Sequence, residues 1–139
     1  MRRTLFLLMP LLLAGCVRDS ATYYISGNEH TVSVRAEQEY FWDDSLNLSL
    51  AAARLPECQR LFRLGKATPD VQLTLHADGE NTYTLKSQAE TWTFETTRCT
   101  MLAPNPSPGQ IVGSFRLEEK ELVFTPAAAP APAEEPLAP

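Results

Sequence analysis

Chemistry at a protein site needs a nucleophile, a base or a metal-binding group held within reach of a partner. This chain offers few such residues: two histidines (His30, His76) and three cysteines (Cys16, Cys58, Cys99). Asp43-Asp44 is the one carboxylate pair beside apolar bulk, where burial tunes an acid for proton transfer. A turn or capping role before Leu46 is the expectation for that pair. Each histidine lies in the polar phase of an alternating run and is expected at the surface. Neither neighbours a cysteine and no C-x-x-C is present, so no metal or redox site is expected. The patterns HExxH, GxSxG and SxxK, and a phosphate-cradling glycine loop, are absent. The expectation is therefore a protein that is not an enzyme and carries no cofactor. A small hydrolase built on Asp43, Asp44 or a histidine is the competing class.

Two features suit recognition instead. In Tyr40-Phe41-Trp42-Asp43-Asp44, adjacent strand residues face opposite sides, so the three rings cannot all enter one core. The expectation is a strand end where a ring plugs the open edge of the sheet. The alternative is an exposed aromatic beside carboxylates, able to stack on a sugar or anchor a protein partner. Arg54, Arg60, Arg63 and Lys66 form a basic cluster in an acidic chain. They are expected to pair with the protein's own acids, such as Glu57 or Glu37. Gripping an anionic glycan is the alternative.

The elements that position these residues read as strands. Val32, Val34 and Ala36 alternate with polar neighbours, as do Leu46, Leu48 and Leu50, and Val71, Leu73 and Leu75. So do Tyr83 and Leu85, Trp92 and Phe94, and Phe115 and Leu117, which are answered by Leu122 and Phe124. Period-two alternation gives a strand with one wet and one buried face. Asp78-Gly79-Glu80-Asn81 should close a hairpin. The stretch from Ala103 to Gly109, with Pro104, Pro106 and Pro108, is a stiffened loop that no strand crosses. Residues 56–64 are ambiguous: Pro56 fits a helix N1 position and Gly65 a stop, while Arg60 breaks the alternation of Cys58, Phe62 and Leu64. A short helix or turn is expected there. The fold class is all-β: a small antiparallel β-sandwich or curled barrel of six to eight strands.

The start of the chain is the most specific signal. Arg2 and Arg3 precede an apolar run from Leu5 to Leu13, then Ala14-Gly15-Cys16. That run is far shorter than the about 20 residues of a spanning helix, and fits a secretory signal. Leu13-Ala14-Gly15-Cys16 resembles the lipobox of bacterial lipoproteins. The resemblance covers residues 1–16 alone. It implies cleavage before Cys16, a diacylglycerol on its sulfur and an acyl chain on the new amino terminus. Asp after the lipidated Cys usually retains such proteins at the inner membrane. Val17 stands there instead, which implies outer-membrane sorting with the domain facing the periplasm. Two thiols then remain, and in an oxidising compartment Cys58 and Cys99 are expected to pair. The closed loop would contribute about 4 kcal/mol by restricting the unfolded chain. The expected organisation is a signal peptide (1–15), a lipidated tether (16–22), a β domain (23–125) and a disordered Pro/Ala-rich tail (126–139).

Removing Arg2 and Arg3 from 12 basic side chains leaves 10 against 17 acidic ones, a net charge of −7. That excludes a nucleic-acid partner held by charge. The expected partners are the membrane, through the lipid on Cys16, and an envelope protein or glycan. The plan also looks like that of small periplasmic lysozyme inhibitors, which are lipidated, disulfide-bonded and all-β. An inhibitor of a lysozyme-like hydrolase is thus the alternative function, with no residue assigned to it. A lysozyme left fully active by micromolar protein removes it.

Overall fold

The computed structural model describes residues 16–128. The expected signal peptide (1–15) and the greater part of the expected tail (129–139) lie outside the described residues.

Among the described residues ten strands follow one another without a helix: β1 (Arg18–Ser26), β2 (His30–Gln38), β3 (Leu46–Arg54), β4 (Cys58–Ala67) and β5 (Gln72–Gly79), then β6 (Thr82–Lys86), β7 (Thr91–Glu95), β8 (Thr100–Leu102), β9 (Gln110–Glu118) and β10 (Glu121–Pro126). They form two antiparallel sheets, one of four strands in the order β1-β2-β3-β4 and one of six in the order β10-β9-β5-β6-β7-β8. Neither closes into a barrel, so the fold is a sandwich. Alternation dictates the core. Val32, Val34, Ala36, Leu50 and Ala52 from the first sheet meet Leu73, Leu75, Leu85, Phe94 and Phe115 from the second, all essentially without exposure. Burying the larger of these side chains contributes about 1.5–3 kcal/mol each relative to exposure.

Ten strands exceed the six to eight expected, because three lie outside the runs that alternation marks. β1 replaces the tether. Arg18 pairs with Glu37 and Ser20 with Arg35 along β2, and Val17 is already buried. β4 replaces the short helix expected at 56–64. Its pairing with β3 runs from Cys58–Arg54 to Ala67–Leu46, with a register shift at Leu48/Ser49. Gly65, at φ 105, sits at that irregularity, where a positive φ suits glycine. Leu64, the extra residue, keeps the inward phase of Phe62 and is 7% exposed, and beyond it the inward phase passes to Ala67 opposite Leu46. Arg60, which breaks the sequence alternation, shares the phase of buried Ala52 but lies on the open edge, its guanidinium 5.7 Å from the centre of the Phe62 ring. An inward charge on an edge strand discourages edge-to-edge pairing. β8 is a three-residue strand too short to leave a pattern. Residues 126–128, expected within the tail, belong to the described fold. Pro126 ends β10, and the Ala127 N–H donates to the Val112 carbonyl at 2.9 Å.

The two sheets meet at β1 and β10. The Asp19 carboxylate of β1 accepts the Leu122 N–H of β10 at 2.9 Å, and the Tyr23 and Phe124 rings pack at 5.3 Å. At the other side the sheets are joined covalently by Cys58–Cys99, with Cα atoms 5.9 Å apart. The Pro-rich loop crosses the outer face of the six-stranded sheet. Asn105 N–H donates to the buried Thr93 hydroxyl at 2.8 Å, and Gly109 N–H to Asp78 at 2.7 Å.

Candidate functional site

Strand direction sorts the side chains between two poles. One pole holds Cys16, the β2–β3 loop, the β4–β5 loop and the β9–β10 turn. Cys16, Phe41, Asp44, Pro69, Leu117 and Lys120 line a common groove of about 210 Å³ there. The other holds the β1–β2 and β3–β4 turns, the Glu80-Asn81 turn and the disulfide.

The Cys16 pole is organised by Gln38, the last residue of β2. Its backbone N–H donates to the Val17 carbonyl at 2.8 Å. Its side-chain oxygen accepts the Val17 N–H at 3.1 Å. Its side-chain nitrogen donates to the carbonyls of Tyr40 (2.9 Å) and Asp43 (2.8 Å). One side chain thus ties the residue after Cys16 to both ends of the aromatic loop. Cys16 itself is exposed and its thiol free.

The aromatic loop departs from the expectation that a ring plugs the sheet edge. Tyr40, Phe41 and Trp42 lie outside β2 and β3 and are 44%, 72% and 69% exposed. The rings pack on one another instead: Tyr40 stacks on Trp42 at 4.8 Å, and Phe41 meets Trp42 edge-on at 4.9 Å. At this level the core is closed by Leu46 and Val17, and the rings lie outside it. Asp43 takes the expected turn role. Its carboxylate accepts the Ser45 N–H at 2.9 Å, and that bond holds its pKa below the ordinary carboxylate value.

The structure separates the basic cluster. Register puts Arg60 and Arg54 in the inward phase of their strands, opposite Ala52 and Cys58, whereas Arg63 opposes Ser49 and Lys66 opposes Asn47 on the outer face. The expected partner Glu37 is engaged by Arg18 at 3.6 Å. Among the described residues neither Arg60 nor Arg63 has an ion-pair partner. Arg63 and Leu61 instead border an open outer-face hollow of about 470 Å³ with Glu37, Asn47 and Ser49.

Both histidines are half-buried and hydrogen-bonded rather than free on the surface. The Thr96 hydroxyl donates to the Asn81 carbonyl at 3.3 Å, so it accepts from His30 Nε2–H at 2.8 Å. Burial, then repulsion by Arg54, lowers the His30 pKa. His76 Nδ1–H donates to the Gly109 carbonyl at 3.0 Å. Burial pushes the Asp78 carboxyl up, but bonds from Thr84, Gly109 and Asn105 outweigh it and hold the pKa below the ordinary value. Glu95 behaves alike: burial raises its pKa, and bonds from Arg98, Thr100 and Thr97 more than offset it. These acids brace turns as anions. Among the described residues, no group of three His, Cys, Asp or Glu side chains is placed to hold a metal.

β1 carries a signal that its composition hides. Val17, Ala21, Tyr23 and Ile25 keep period two through the polar run Arg18-Asp19-Ser20, because inward Asp19 is used by β10. Nothing in the sequence marks Gln38, whose role depends on backbone groups brought together by folding. No protein-family model, no curated protein and no solved structure matches the chain.

Proposed function

We propose that this chain is a lipid-anchored envelope protein whose β-sandwich is a non-enzymatic binding module. Acyl chains on Cys16 hold it at the outer membrane, with the domain facing the periplasm. One observation carries the reading: Cys16, the last residue of Leu13-Ala14-Gly15-Cys16, is exposed with a free thiol directly before Val17, which is buried in the fold. Cleavage before Cys16 removes none of the ten strands, and leaves a thiol open to modification. Two or more acyl chains give stable membrane attachment, at about 0.8 kcal/mol per buried methylene. Confinement to a thin layer raises the effective concentration of the module toward partners there. A binding role is supported by acids that are committed to bracing turns and by the hollow on the outer face of the four-stranded sheet.

Growth with labelled palmitate tests the anchor. The wild-type protein is expected to take up label, and Cys16→Ser to take up none. Equal labelling of the two overturns the reading. For the binding face, a photoreactive residue at position 61 is expected to give one discrete crosslinked species in intact cells, lost in Arg63→Glu. The absence of any such species removes this face as the site.

A further inference from the structure

We infer that the Tyr40–Trp42 loop is a second membrane contact: a cluster of rings that sits in the lipid headgroup layer beside the acylated cysteine and fixes the orientation of the sandwich on the bilayer. The inference rests on the lipid anchor at Cys16. It stands on three observations.

The first is distance along the chain. A single peptide unit, at most about 3.8 Å between Cα atoms, separates Cys16 from Val17, which is buried and paired to Gln38. An anchor on a mobile tether would let the domain tumble above the membrane. An anchor on a residue joined directly to the core brings that pole onto the surface.

The second is what that pole displays. Phe41 shares a groove with Cys16, and the three adjoining rings are the largest group of exposed aromatics on the molecule among the described residues. Tyr and Trp have an apolar body with a polar tip, and accumulate where bilayer meets water. The rings are already stacked and their loop is braced by Gln38 and Asp43, so little freedom is lost when they enter the layer.

The third is charge. Glu39, Asp43 and Asp44 flank the rings and outnumber the cations nearby, Lys66 beside Asp43 and Lys120 in the groove, so attraction to anionic headgroups is not the cause. The contact is made by the rings, and belongs to a zwitterionic surface.

The test uses the full acylated protein reconstituted into phosphatidylethanolamine–phosphatidylcholine vesicles, part of whose lipid is brominated near the headgroup end of the chains. Flotation with the vesicles reads the anchor. Tryptophan emission reads the loop, since Trp42 and Trp92 are the only two emitters. The expected result is a blue shift and loss of most of the Trp42 emission to the bromolipid, unchanged by added salt. That quenching should be absent in Trp42→Phe, where the half-buried Trp92 alone emits. Protein that floats while its Trp42 emission stays unquenched overturns the loop contact, leaves the anchor standing, and assigns the rings to a protein or glycan partner. Protein that does not float overturns the anchor, and this inference with it.

Discussion

Gln38 does more for the Cys16 pole than any residue of obvious chemistry. Its amide bonds the Val17 N–H and two loop carbonyls, and three net hydrogen-bond contributions of about 0.5–1.5 kcal/mol each make Gln38→Leu cost roughly 1.5–4.5 kcal/mol. Denaturant melts should show that loss, with faster amide exchange at Asp43, whose N–H donates to the Tyr40 carbonyl. Trp42→Ala should behave in the opposite way. An exposed ring outside the core leaves stability within about 0.5 kcal/mol, against the roughly 3–5 kcal/mol of a core tryptophan. At the far pole, His30 donates to Thr96 in its neutral form. Its pKa is depressed in the fold, so protonation favours the unfolded chain. Its contribution is complete above the ordinary value of 6.5 and is lost as pH falls below it. His30→Gln should flatten that part of a stability–pH profile, and an unchanged slope would remove His30 as its source.

At the scale of elements, β1 is the test of the fold. Residues 18–22 are part of an edge strand, with Ala21 buried and Asp19 bonded to β10. Deleting them should lower the melting temperature sharply or prevent folding, whereas loss of a tether would leave melting unchanged. The disulfide joins β4 to the turn before β8. Replacing both Cys58 and Cys99 by Ala should cost about 2–5 kcal/mol, read by denaturant melts. These elements also show what a sequence can disclose. Val32, Val34 and Ala36, and the Leu46, Leu48, Leu50 run, announce their strands because one face of each is wholly apolar. The Cys58–Cys99 pair was legible because two thiols remain once Cys16 is set aside. β4 was hidden because it lies at an edge, where Arg60 can occupy an inward position without being buried. β1 was hidden because a carboxylate occupies an inward position for the sake of another strand. The exposure of all three rings of Tyr40–Trp42 was not legible either, since it depends on how far Leu46 and Val17 already close the core.

At the scale of the whole molecule, the two poles divide the work. One joins an exposed thiol, a buried first residue and an aromatic loop. The other carries the disulfide and the hydrogen-bonded His30. In the proposed orientation, with the Cys16 pole on the bilayer, the outer face of the four-stranded sheet, bearing Leu61 and Arg63, would stay open to solvent. A flexible spacer inserted between Cys16 and Val17 should leave the lipid in place and free the orientation of the domain. The central claim is that the chain is cut before Cys16 and acylated there. Intact-mass and N-terminal peptide measurement on protein taken from membranes tests it most directly. The predicted result is a chain beginning at Cys16, with its mass raised by a diacylglyceryl group and one further acyl chain. A chain that still begins at Met1, or a Cys16 thiol that carries no lipid, would contradict it.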